Sequence, residues 1–138
     1  SINPENRVVA CKMKFQFLRP LLRTDKFEET LDFYTGILGF AIVSKNDEWG
    51  WASLKKDEVW IMIAKPNFHE GFERPAFTGS LYFTIDEADA LWESLKTKAK
   101  VCYNIETFPW GMREFAIYDN NGYTLQFGQN IEEQHGIL

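Results

Sequence analysis

A chain of 138 residues is one domain's worth of sequence and can bury a core without disulfide or metal staples. Its net charge of −5 and the lack of any basic run exclude a nucleic-acid footprint, and no apolar run is long enough for a membrane-spanning helix. Cys11 and Cys102 are too few for a disulfide framework and form no C-x-x-C pair, which together with the absence of a signal-peptide pattern points to a reduced, cytoplasmic protein.

The residues before Met13 read as a polar leader, and 14-KFQFLRPLLR-23 as extended and apolar. The period then changes. In 24-TDKFEETLDFYTGILGF-40 the spacing of Phe27, Leu31, Tyr34 and Leu38 predicts a helix with one apolar face, capped by Thr24 or Asp25 and stopped at Gly39. Strands are expected near 40–46, 49–55 and 58–65, separated by turns at Asn46-Asp47 and Lys56-Asp57. After 65-KPNFHEGFERPAFTG-79, rich in proline and glycine, the same order returns. It comprises a strand over 80–85, a helix over 86–97 with Ala88, Leu91, Trp92 and Leu95 on one face, and strands near 101–105, 113–119 and 122–128. The fold class is therefore α+β, a single domain over 1–138 made of two β-α-β-β-β modules, 14–65 and 80–128, with a linker over 66–79 and a tail over 129–138.

One helix covers only one face of a sheet, so each module should leave a concave face open. Alternation with period two sends Val59, Ile61 and Ile63 to the helix, and Trp60 and Met62 to the open face. Likewise Leu81, Phe83 and Ile85 pack inward while Ser80, Tyr82 and Thr84 face out. With Leu18 and Leu22 on the helix, Arg19, Leu21 and Arg23 face the concavity. In the last hairpin Tyr123, Leu125 and Phe127 face the helix, and Thr124 and Gln126 face the concavity. An even loop then sends Arg113, Phe115 and Ile117 to that same concave side, a parity that a bulge would reverse.

The repeated module, the helix ending FYTGILGF and the hairpin REFAIYDNNGYTLQF resemble the vicinal-oxygen-chelate superfamily over residues 15–128. That superfamily contains glyoxalase I, extradiol dioxygenases and bleomycin-resistance proteins. The resemblance implies four cavity-facing positions that in metal enzymes carry His or Glu, occupied here by Arg19, Trp60, Ser80 and Gln126. Arginine keeps its proton, indole offers no lone pair, and serine and glutamine are weak neutral ligands, so no metal, cofactor or catalytic residue is expected. His69 and His135 stand in the linker and tail with no second ligand at helix or strand spacing.

The segment 109-PWGMREFAIYD-119 resembles the bleomycin-resistance branch, which implies a metal-free homodimer that sequesters a planar aromatic drug in clefts between subunits. In that branch the tryptophan of the Pro-Trp-Gly loop stacks on the drug. The expected aromatic contacts are Trp110, Trp60, Tyr82, Phe115 and Trp51 (or Trp49), and the polar ones Arg19, Ser80, Gln126 and Arg113. Asp47, Glu48, Glu70 and Glu73 could attract a cation to the cleft mouth, whereas Arg19 would suit a carboxylate or phenolate better. The residues leave other readings open. Arg19, Arg23 and Arg113 could simply pair with Glu58, Glu106 or Glu114. An enzyme could use Glu58 and Glu114 as displaced metal ligands, or Tyr82 or Glu114 as acid or base; a scaffold could fill its cavity with its own side chains.

Overall fold

The computed structural model describes residues 13–67, 69 and 71–131, so the polar leader, Cys11, Glu70 and His135 lie outside the described residues. The first sheet contains β1 (Leu21–Arg23), β2 (Ala41–Asn46), β3 (Trp51–Lys56) and β4 (Val59–Ala64) in the order β1-β4-β3-β2. The second contains β5 (Leu81–Thr84), β6 (Lys100–Thr107), β7 (Met112–Tyr118) and β8 (Thr124–Asn130) in the order β5-β8-β7-β6. In each the first strand runs parallel to the last, with Leu21 opposite Met62 and Tyr82 opposite Gln126, and the remaining pairings are antiparallel. This is the expected mixed α+β architecture of two four-stranded sheets.

Helix α1 (Phe27–Asp32) runs into a π-helical turn over Phe33–Ile37, and helix α2 spans Ala88–Leu95. Phe27, Leu31, Tyr34 and Leu38 are buried, as their spacing predicts. Gly39, at φ +81°, ends α1 by letting the Phe40 N–H reach back to the Tyr34 carbonyl at 2.9 Å. The start differs from expectation. Thr24 accepts from the Lys26 N–H at 2.9 Å in a turn just ahead of the helix, and no side chain caps α1 itself.

One hydrophobic core takes side chains from both sheets and both helices, among them Leu31, Tyr34, Leu54, Ile61, Leu95, Phe115 and Leu125. A polar seam joins α1 to the β7–β8 turn. The Tyr34 hydroxyl donates to Asp119 Oδ2 at 2.7 Å, the Asn120 and Asn121 amides donate to Thr30, and the Tyr123 hydroxyl donates to the Arg23 carbonyl. Leu18 departs from prediction: it is 85% exposed rather than packed on α1. Pro20 has no N–H to give a ladder, so strand pairing begins only at Leu21, and alternation does not extend back to residue 18. Met13, Phe15 and Phe17 are exposed beside it.

Burial raises the Asp119 carboxyl above its usual 3.8, against the opposing pull of its hydrogen bonds from Tyr34 and the turn amides. A carboxyl whose folded-state value is raised favours folding below the unfolded value, and that contribution is lost as pH rises through the folded one. Asp119→Asn should therefore flatten the dependence of urea-derived stability on pH in the acid range just above 3.8. Tyr34→Phe leaves a buried carboxylate one donor short and should cost about 1–3 kcal/mol at neutral pH, read from the same denaturation curves.

Candidate functional site

Hairpin chemistry determines which side chains meet on the open face of the second sheet. The β6–β7 and β7–β8 connections are three-residue loops of one kind, Pro109-Trp110-Gly111 and Asn120-Asn121-Gly122. Each has its glycine at positive φ, +83° and +87°. In each, the glycine N–H bonds to the residue that opens the loop, at Phe108 and Asp119. A three-residue loop puts Phe115 opposite Phe127 and Ile117 opposite Leu125, so Phe115 and Ile117 face the core. That reverses the predicted parity of β7. Phe115 is fully buried, its ring centroid 5.3 Å from Trp92 and 5.1 Å from Phe127. Arg113 shares its side of the strand and pairs with Asp89 of α2 at 2.9 Å. Neither Phe115 nor Arg113 lies on the open face.

Glu114 takes their place. It is 4% exposed and stands opposite Gly128, and both carboxylate oxygens accept from phenols: Oε1 from Tyr82 at 2.6 Å, Oε2 from Tyr103. The Gln126 amide donates to the Tyr103 oxygen at 3.0 Å, and Ser80 donates to Gln126 Oε1. Two predicted members of the site, Ser80 and Gln126, are thus hydrogen-bonded to each other. Burial, then the bond to Glu114, pushes the Tyr103 phenol up to about 12, and the same causes in the same order raise Tyr82 above the usual 10.0. Both hydroxyls keep their protons at neutral pH.

Tyr103 also begins an aromatic ladder. Phe108 meets it edge-on at 5.9 Å, and Trp110 stacks on Phe108 at 4.7 Å with 12° between the rings. Trp110 is nevertheless 61% exposed. It is not a core residue: the tight loop folds the indole over Phe108 and leaves it accessible.

On the first sheet the predicted pair Arg19 and Trp60 also meet. The Arg19 guanidinium lies 4.2 Å from the Trp60 ring centroid and 4.6 Å from that of Phe17, with the Lys55 ammonium 5.1 Å from Trp60. Arg19 Nε is buried, with no hydrogen-bond partner among the described residues. Trp51, half-buried at the start of β3, stands on the same face, since its neighbours Ala52 and Leu54 point into the core. Among the described residues Arg113 takes Asp89 rather than Glu106 or Glu114, and Arg23 donates to the Lys65 carbonyl.

The four positions implied for metal ligands thus hold an arginine on an indole and a serine on a glutamine, a set that does not fit a divalent cation. Glu58 sits at the β3–β4 turn, on the rim of a cleft of about 820 Å³ against α2, away from the face that carries Glu114. Among the described residues no three His, Cys, Asp or Glu side chains group as a metal site would require, and no helix is long and apolar enough to cross a membrane.

Residues 16–127 match the family model of the Glyoxalase/Bleomycin resistance protein/Dioxygenase superfamily. The chain belongs to this superfamily. Solved structures share the fold. A bleomycin-binding protein complexed with bleomycin is 23% identical, with a TM-score of 0.65 over 84% of this chain and 99% of its own. A lactoylglutathione lyase from Agrobacterium tumefaciens is 18% identical, with a TM-score of 0.64 over 86% and 96%. A glyoxalase/bleomycin resistance protein/dioxygenase from Nocardioides is 17% identical, with a TM-score of 0.70 over 92% and 93%. No curated protein matches the sequence. A superfamily that spans binding proteins and lyases leaves this member's activity to its own residues.

Sequence reasoning did not place Tyr103, Phe108 or Gly128 in the site. The signal available was Asp-Asn-Asn-Gly, whose glycine suits the third position of a three-residue loop. A Cβ on Gly128 would fall on the Tyr82 hydroxyl. Gly128→Ala should therefore push Tyr82 off Glu114, and spectrophotometric titration should show one phenol moving down toward 10.0.

Proposed function

We propose that this chain binds and sequesters a planar aromatic small molecule, without a metal, in clefts completed by a second copy of itself. The observation that carries this reading is Trp110, stacked on Phe108 yet 61% exposed. Such an indole has already lost most of its freedom and offers a flat surface at little further entropic cost. Tyr82, 44% exposed beside the ladder, adds a second ring. Trp60 and Trp51 would contribute from a first-sheet face, where a ligand meets the Arg19–Trp60 stack rather than a bare indole. The likeness to a bleomycin-binding protein makes bleomycin-type drugs the first compounds to try.

Two observations support a second copy. Trp110 and Tyr82 are 61% and 44% exposed, so the aromatic face of the second sheet is open to solvent in the single chain. Phe15, Phe17, Leu18, Ile42 and Val43 are exposed apolar side chains of the kind that a partner covers. Light scattering at micromolar concentration should give a dimer; a monomer would remove the cleft.

Trp110→Ala should weaken binding of a flat heteroaromatic about tenfold. Stability should stay within about 0.5 kcal/mol of the parent, because the indole is exposed. Titration calorimetry with bleomycin and simple acridines, beside urea denaturation, checks both. Unchanged affinity in this variant would discard the stacking wall.

A further inference from the structure

We infer that the ligand presents hydrogen-bond donors, such as a protonated amine or amidine, to the Ser80–Tyr82 edge of the second sheet, and that this edge discriminates against carboxylates and phenolates. The inference rests on the binding function proposed above and adds the ligand's polarity.

The ground is the direction of every proton in the network. Both phenols donate to Glu114, one to each carboxylate oxygen. With its proton committed, the Tyr103 oxygen can only accept from Gln126, which fixes the amide with its nitrogen toward Tyr103 and its oxygen toward Ser80. That oxygen in turn takes the Ser80 proton. The chain therefore runs one way, from Ser80 through Gln126 and Tyr103 to Glu114, with Tyr82 arriving from the other side. Its two ends, Ser80 Oγ and the Tyr82 oxygen, have only lone pairs left to offer.

Charge points the same way. Glu106 stands across β6–β7 from Glu114, and the ion pairs among the described residues use Glu28, Asp47, Glu93 and Asp89, leaving Glu106 and Glu114 uncompensated. Arg113, the cation expected here from sequence, is turned to the helix side. A donor at this edge completes two acceptors and meets negative charge, whereas an anion finds no donor and faces a buried carboxylate.

Three flat probes of one shape test this on the full chain: 9-aminoacridine, cationic at neutral pH, acridine, and acridine-9-carboxylate. Calorimetry should rank them in that order, with about tenfold between the first and last. Tyr82→Phe removes one terminal acceptor and one of the two donors to Glu114, so it should lower the melting temperature by about 2–8 °C, stay folded at 25 °C, and reduce that gap to about threefold; Glu114→Gln should reduce the gap likewise where it folds. Equal affinities, tightest binding of the carboxylate, or a gap that survives Tyr82→Phe would overturn the inference while leaving aromatic binding intact. Failure of all three probes and of bleomycin would overturn the binding reading itself and this inference with it.

Discussion

The Asp119 carboxylate is the constraint on which the rest of the molecule depends. Oδ1 accepts the N–H groups of Asn121 and Tyr123, closing the β7–β8 loop at three residues, and Oδ2 accepts the Tyr34 hydroxyl from the π-helical turn that follows α1. Loop length sets register, and a one-residue change would exchange the two faces of β7. Glu114 would then enter the core and Phe115 the open face. The same carboxylate ties the first module's helix to the second module's hairpin, so core, seam and site share one anchor. Its burial is tolerable because each of its oxygens has a donor.

Where burial is one-sided the sequence can be read directly. Phe27, Leu31, Tyr34 and Leu38 mark the buried face of α1, and Ile61 and Ile63 alternate with Trp60 and Met62 as a half-buried strand should. β7 resists the same reading for a physical reason: Glu114, Phe115, Ala116 and Ile117 are all buried, so no exposed residue marks its outer side. Adjacent charges at Arg113 and Glu114 give no hint either, since one pairs across to α2 and the other is satisfied by phenols. The structure does bring Arg19 onto Trp60 and Ser80 onto Gln126, pairs whose alternation does not run through β7. Glu114's true surroundings depended on counting three loop residues rather than an even number.

The two modules repeat one chain path yet present unlike surfaces. The first sheet's open face carries cations, Arg19 and Lys55 against Trp60; the second carries Glu114 behind two phenols. A symmetric backbone with asymmetric walls allows a cleft built from one of each to orient a ligand by charge as well as by shape. Arg19 Nε, buried and without a hydrogen-bond partner among the described residues, leaves the first wall with a donor unused there.

A metal centre needs lone pairs from several side chains converging on one empty point. Here the residues at the four inherited positions turn toward each other, guanidinium to indole and hydroxyl to amide, so their interactions are spent within the protein. What the second sheet exports instead is the sum of a relay: the charge of a carboxylate too buried to touch a ligand, delivered to the surface as two hydroxyl lone pairs. A relay of neutral groups carries that charge at lower desolvation cost than an exposed route to Glu114 itself would, because the carboxylate keeps both donors whether or not a ligand is present. In the binding mode proposed above, stacking on Trp110 would supply affinity and the polarity of the relay would select among flat ligands. The two meet at Tyr103, which donates to Glu114 and touches Phe108 edge-on.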